Sequence, residues 1–246
     1  MATAALVVIG DEILSGKTAD TNTPFLISEL RGLGVALREI AVVADEVTAI
    51  AEAVRRVAAR FDYVFTSGGV GPTHDDVTMA GVAAAFAVPV VRHRRLAELL
   101  TAYYAEKKLP VVERNLRMAD LPEGTTLIEG PQLRWPMPRL HNVYILPGIP
   151  EIFRRKFLAI RELFREPPFH LRQVFVRSEE GEIARHLDLV AGKYADVALG
   201  SYPRLEPDAD GHRVKLTLEG KVRERVDSAA AELVELLGAE LIVRQV

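Results

Sequence analysis

The chain has 246 residues, 49% of them apolar and 26% charged, which excludes disordered and fibrous classes and is ordinary for a globular protein. With 31 basic and 34 acidic residues the net charge is -3, so the basic face needed to bind nucleic acid is not expected. The lack of cysteine excludes disulfides, thiolate zinc sites and cysteine nucleophiles.

Residues 5–9 form an unbroken apolar run ended by Gly10, the pattern of a strand buried on both faces. Beyond Asp20, the side chains Phe25, Leu26, Leu30 and Leu33 recur at helical spacing, and Gly34 stands where a helix would end. Residues 35–43 fit a second strand. Residues 46–60 fit an amphipathic helix with Ile50, Val54, Val57 and Ala58 on one face. A short strand at 63–66 is followed by helices at 75–87 and 93–107. Pro131, Pro136 and Pro138 mark a connection to a last strand at 142–146, which leads into a helix at 150–164. Alternating strands and helices predict an α/β fold with a parallel sheet.

Glu166-Pro167-Pro168 interrupts this pattern. Strand-like runs at 173–177, 197–202, 213–219 and 240–246 then frame helices at 180–191 and 222–237. The order β-α-β-β-α-β predicts a small ferredoxin-like α+β domain. A boundary near 167–170 divides the chain into domains 1–168 and 169–246. No apolar run approaches the ~18 residues of a membrane helix. Asp11 and Glu12 interrupt the N-terminal run too early for a signal peptide, so a cytoplasmic protein without membrane contact is expected.

Four polar or glycine-rich clusters each follow a strand of the parallel sheet. They are Gly10-Asp11-Glu12, Asp45-Glu46, the run from Ser67 to Asp76, and Pro147-Gly148. Ligands of open parallel sheets bind outside the carboxyl ends of the strands, so these clusters are expected to converge. Gly68, Gly69 and Gly71 free the backbone to present N–H groups, and a helix starting near Asp75 would add its positive end, which suits a phosphate. Asp75 and Asp76 would repel a bare anion, so a hard cation such as Mg²⁺ bridging carboxylate and phosphate is expected. Helix capping by Thr73, Asp75, Asp45, Thr21 or Asn22 is the competing structural reading. His74 is a loop histidine to which no role is assigned. The run from Gly10 to Lys17 and Thr18 mimics a P-loop but has five residues between its glycines instead of four, and it carries acids where phosphates would rest.

Gly10-Asp11-Glu12-Ile13-Leu14-Ser15-Gly16 with Asp20-Thr21-Asn22, and Ser67-Gly68-Gly69-Val70-Gly71-Pro72-Thr73 with Asp75, Asp76 and Thr78, resemble the molybdopterin-binding domain superfamily. Within it, the chain resembles the amino-terminal domain of competence/damage-inducible protein A. The run from Asn142 to Glu151, together with Gly200-Ser201-Tyr202-Pro203 and the strand from Val214, is also similar to the amino-terminal domain of eukaryotic FAD synthase. The resemblance implies a three-layer α/β sandwich and divalent-metal-dependent hydrolysis of nucleotide pyrophosphates such as ADP-ribose or FAD. It also implies an alternative: binding of molybdopterin or an adenylylated pterin without hydrolysis. It makes Asp45 and Asp76 the expected catalytic carboxylates. The expected metal ligands for Mg²⁺, Mn²⁺ or Co²⁺ come from Asp11, Glu12, Asp45, Asp75 and Asp76. Expected substrate contacts are Gly10, Asn22, Ser67, Gly68, Gly69, Gly71, Pro72, Thr73, Thr78, Pro147 and Gly148. A homo-oligomer is a further expectation of the resemblance. Residues 129–141 depart from the bacterial pattern with a Trp- and Pro-containing stretch, which puts substrate contacts from that loop in question.

Overall fold

The apolar run at the amino terminus becomes β1 (Thr3–Ile9), the centre of the first of two units in a computed structural model that describes residues 1–131 and 133–246. The first unit spans Met1–Glu166 and the second Pro167–Val246. Along the first unit follow α1 (Asp11–Leu14), α2 (Asn22–Gly32), β2 (Ala36–Val43), α3 (Val47–Ala58), β3 (Tyr63–Ser67) and α4 (Thr78–Ala85). Next come β4 (Val90–Arg92), α5 (Arg94–Glu106), α6 (Glu113–Leu116), a 3₁₀ turn (Arg117–Ala119) and β5 (Asp120–Pro122). The unit closes with β6 (Thr126–Ile128), β7 (Met137–Leu140), β8 (Val143–Leu146), α7 (Pro150–Ile160) and a second 3₁₀ turn (Arg161–Phe164).

The main sheet runs β2-β1-β3-β8-β7-β6. Neighbours from β2 to β8 are parallel, and β7 and β6 continue antiparallel. Side chains alternate across a strand, and β1 uses both sides. Ala4, Leu6 and Val8 pack with Leu26 and Leu30 of α2 and Phe153 and Phe157 of α7. Ala5, Val7 and Ile9 pack with Ile50, Val54 and Val57 of α3 and Val82 and Ala85 of α4. The result is a three-layer α/β sandwich, helices on each face of a mostly parallel sheet. Gly81 lets α4 lie tight on α3, because a Cβ there would stand 2.4 Å from Ile50 Cγ2.

The structure departs from the sequence expectation in two places. The helix expected from Asp75 starts at Thr78, so Asp75 and Asp76 belong to the preceding loop and neither caps a helix. The stretch read as a Pro-rich connection contains β7, paired to β6 through Pro138 and Leu127. Pro138 lies before the residues of β7 that meet β8, Arg139 and Leu140, so its missing N–H costs no bond on that side. The 129–141 stretch also includes Gln132, which lies outside the described residues.

In the second unit, β9 (His170–Val176), α8 (Glu180–Lys193), β10 (Ala198–Pro203), β11 (Val214–Gly220), α9 (Arg223–Leu237) and β12 (Ile242–Gln245) form the β-α-β-β-α-β order of a ferredoxin-like domain. The sheet runs β10-β11-β9-β12 with antiparallel neighbours throughout. Val214, Leu216 and Leu218 alternate inward onto Val226 and Leu233 of α9 and Ile183 and Leu187 of α8. Among the described residues, no helix is long and apolar enough to cross a membrane.

Phe157 is fully buried, stacked on Phe164 at 5.7 Å and edge-on to Phe65 at 5.7 Å. Phe157→Ala is expected to cost about 3–5 kcal/mol by urea unfolding followed in the first unit's signal; a loss under about 1 kcal/mol would contradict this packing.

Candidate functional site

The carboxyl ends of β2, β1, β3 and β8 lie side by side because the strands are parallel neighbours, and the four clusters meet there. Gly10 N–H donates to Val43 O at 3.2 Å, tying the end of β1 to the end of β2. Asp11 N–H donates to Asp45 Oδ2 at 2.9 Å. Gly68 packs against β1 so closely that a Cβ would stand 2.0 Å from Ile9 O, and its φ of +112° is itself unfavourable for an L side chain. Gly148 approaches Gly68 from β8, leaving 3.3 Å between a built Cβ and Gly68 Cα.

Asn22 sits behind this rim and is 4% exposed. Its Nδ2 donates to Ser67 Oγ at 2.9 Å and to Gly148 O at 2.8 Å. Its Oδ1 is buried without a partner among the described residues. The capping of α2 falls to Asp20, whose Oδ1 accepts the N–H groups of Asn22 and Thr23 at 2.9 and 3.1 Å. Asn22 is therefore freed from the capping that was its competing reading. Asn22 and Ser67, expected as substrate contacts, are buried and bonded to the framework, so they position the loop. Thr78 is likewise fully buried, its hydroxyl donating to Gly68 O at 2.9 Å and its N–H to Gly69 O at 3.0 Å. It anchors the loop to α4.

The loop amides are partly used within the protein. Gly68 N–H donates to Leu146 O at 3.3 Å, and Gly71 N–H donates to Asp76 Oδ1 at 2.6 Å. Asp76 Oδ2 accepts Thr73 N–H at 2.8 Å and also the Thr73 hydroxyl. Asp76, expected to catalyse and to hold a metal, thus has both oxygens engaged in shaping its own loop. Gly69, with φ of +60°, keeps an N–H that meets no acceptor among the described residues. Pro72 is half-buried and Thr73 exposed at the tip of the loop, while Pro147 and Gly148 border it from β8.

Four acids remain around the rim: Asp11, Glu12, Asp45 and Asp75. Burial raises the Asp45 carboxyl above its usual range; the Asp11 N–H opposes this, and the charges of Asp11, Glu12 and Asp75 add to the rise. Among the described residues, no three His, Asp or Glu side chains gather closely enough to hold a metal by themselves. The five expected ligands do not form a ready-made cage.

Some residues of the site region carry no motif in the sequence. A cavity of about 510 Å³ is lined by Pro72, Thr73 and His74 of the loop and by Arg114, Asn115 and Arg117 across from it. Lys156 of α7 donates to Trp135 O at 2.9 Å and Pro136 O at 3.0 Å, fixing part of the stretch before β7. Burial pushes its ammonium down to about 8. A basic pair three residues apart was the signal that could have revealed Arg114 and Arg117; Lys156 left none.

The family model described as a probable molybdopterin binding domain matches residues 5–166, the unit that carries this rim. The chain belongs to that family. A second model, the FAD synthase middle domain, matches residues 168–246. A probable FAD synthase of Caenorhabditis briggsae is 35% identical over 98% of this chain and 50% of its own length. The chain therefore spans about half the length of that curated relative. A protein of Archaeoglobus fulgidus is 32% identical over 94% of this chain and 96% of its own. The solved structure of the protein CinA from Thermoplasma acidophilum matches with a TM-score of 0.60 and 28% identity, covering 67% of this chain and 99% of that one. These likenesses agree with the molybdopterin-binding fold and the CinA-like and FAD synthase-like resemblance of the sequence.

Two stability outcomes follow from the rim. Gly68→Ala is expected to destabilise the first unit by more than about 2 kcal/mol, because both φ and the Ile9 carbonyl oppose a methyl group; a wild-type urea midpoint would refute the close approach. Asp45 holds its proton more tightly folded than unfolded, so its stabilising share is present below the ordinary carboxylate range and lost as pH rises through the raised value. Asp45→Asn keeps an acceptor for Asp11 N–H and is expected to raise Tm at pH 7 by about 2 °C, with the gain gone below pH ~4. A lower Tm at pH 7 would show that the neighbouring acids do not strain the rim.

Proposed function

We propose that the molybdopterin-binding unit takes a small molecule carrying a diphosphate at this rim and hydrolyses nucleotide pyrophosphates of the ADP-ribose or FAD type. The observation that carries the reading is the charge imbalance at Asp45. A half-buried carboxylate pressed by Asp11, Glu12 and Asp75 lies beside a glycine loop that offers a backbone N–H at Gly69. These carboxylates by themselves would repel a diphosphate that carries no cation. A diphosphate that arrives with its divalent cation would be attracted, because Mg²⁺ and similar ions bind one or two carboxylates together with phosphate oxygens. Among the described residues no three acids gather into a cage, so in this reading the cation comes with the substrate. Asp11 or Glu12 would hold it, and such an ion supplies neutralisation of the charge that develops on the phosphoryl oxygens.

The chain's own part is then direct. Gly69 N–H orients a phosphate oxygen. Asp45, its carboxyl raised above the usual range by burial, takes a proton from water as the water oxygen bonds to phosphorus. The P–O–P linkage breaks, and with ADP-ribose the products are AMP and ribose 5-phosphate. Asp76 keeps the loop in shape through Gly71 and Thr73.

A second reading is favoured by the match of residues 168–246 to the FAD synthase middle domain and by the engagement of Asp76. In it the rim holds a molybdopterin, an adenylylated pterin or a flavin dinucleotide without cleaving it, as part of an adenylyl-transfer system.

Pure protein incubated with ADP-ribose, FAD or NAD and Mg²⁺, Mn²⁺ or Co²⁺ is expected to release AMP, and Asp45→Ala to lose at least about 100-fold in rate. No AMP from the wild type, with tight binding of pterin or FAD, would replace hydrolysis by the second reading.

A further inference from the structure

Arg114 and Arg117 face the tip of the glycine loop across the cavity of about 510 Å³. They project from consecutive short helical elements, α6 and the 3₁₀ turn, and a spacing of three residues puts them on one side. That stretch is fixed at both ends. Arg92 bonds Glu113 at 2.6 Å and also pairs with Asp120, fastening the start of α6 to β5. Asn115 Nδ2 donates to Tyr104 OH at 2.7 Å, fastening α6 to α5.

The acids in this neighbourhood are already engaged. Glu113 and Asp120 pair with Arg92, Glu98 with Arg94 and Glu129 with Arg95. Among the described residues, neither Arg114 nor Arg117 has an ion-pair partner. Two guanidinium groups held on a fixed turn and turned to a cavity, with no carboxylate to satisfy them, make an anion site in which each planar fork can grip a phosphate through two donors. The same loop also carries Asp75, next to His74, whose charge reaches Asp45. The loop is thus shared by carboxylates that call for a cation and an arginine pair that calls for an anion.

We propose that Arg114 and Arg117 form a direct, metal-independent subsite for one phosphate of a diphosphate-bearing ligand, the other phosphate lying toward the carboxylates with its cation. This deepens the reading of the site given above and rests on it for the ligand being a diphosphate. It selects ligands with two phosphates over nucleoside monophosphates, which can satisfy one of these groups only.

The probe is inorganic pyrophosphate, titrated calorimetrically into the full chain in EDTA and again with Mg²⁺. Wild type is expected to bind pyrophosphate in EDTA, more weakly as salt rises. Arg114→Ala and Arg117→Ala should each weaken it about 10-fold, and the double variant more. Arg114→Lys and Arg117→Lys should recover part of the loss, since charge is kept and the fork is not. Both arginines are exposed, so thermal melts of the variants should match wild type. Arg155→Ala, an exposed arginine of α7 that does not line the cavity, should bind as wild type. Wild-type affinity in the double alanine variant overturns the subsite, as does equal weakening by Arg155→Ala or a failure of wild type to bind without metal. Absence of AMP release from nucleotides, with the arginine effects intact, would remove the hydrolytic reading and leave the subsite standing.

Discussion

The buried amide of Asn22 joins three segments far apart in the chain: the start of α2, the end of β3 and the turn after β8. A hydrogen bond between buried neutral groups contributes only about 1 kcal/mol net, but leaving its partners unpaired costs about 1–3 kcal/mol each. The geometry is therefore enforced more by the penalty for losing it than by its strength. Gly68 sits under the Ile9 carbonyl and Gly148 against Gly68, so the rim closes only when all three strand ends are in register. Everything chemically active, from Asp45 to the loop tip, is placed by that closure.

The fold was legible where periodicity was strong. Buried runs such as β1 and amphipathic helices such as α3 announce themselves through alternate or helical spacing of apolar residues, and the order of elements then restricts the topology to a parallel sheet. The short strands β4 to β7 were hidden because three or four residues carry too little pattern, and in β7 the prolines argued for a connection. Proline is tolerated at Pro138 because only one side of the strand is paired there. The helix start was misplaced by three residues because Asp75 and Thr73 look like caps, whereas their neighbour Asp76 turns back into the loop.

The convergence of the site was legible too, since the carboxyl ends of parallel strands necessarily share one edge. What sequence could not assign was the job of each residue at that edge. Asn22, Ser67 and Thr78 have the polarity of ligand contacts, and only their burial and bonding separate framework from contact surface. Arg114 and Arg117 are a plain basic pair on paper. Their meaning comes from the way nearby acids are already consumed by other arginines, a property of three-dimensional pairing that spacing does not encode.

Asp76 gives the loop an internal template. Its carboxylate gathers the Gly71 and Thr73 amides into one concave turn, and a Cβ at residue 71 would stand 2.6 Å from Asp76 Oδ2, so the two positions constrain each other. A loop held in one shape by its own hydrogen bonds spares an incoming molecule the entropy of ordering it. Gly71, Thr73 and Asp76 consequently behave as one heritable cassette: a loop graft or a natural variant that changes one of them without the others would trade a rigid receptor for a floppy one, whatever happens to the groups that touch the guest.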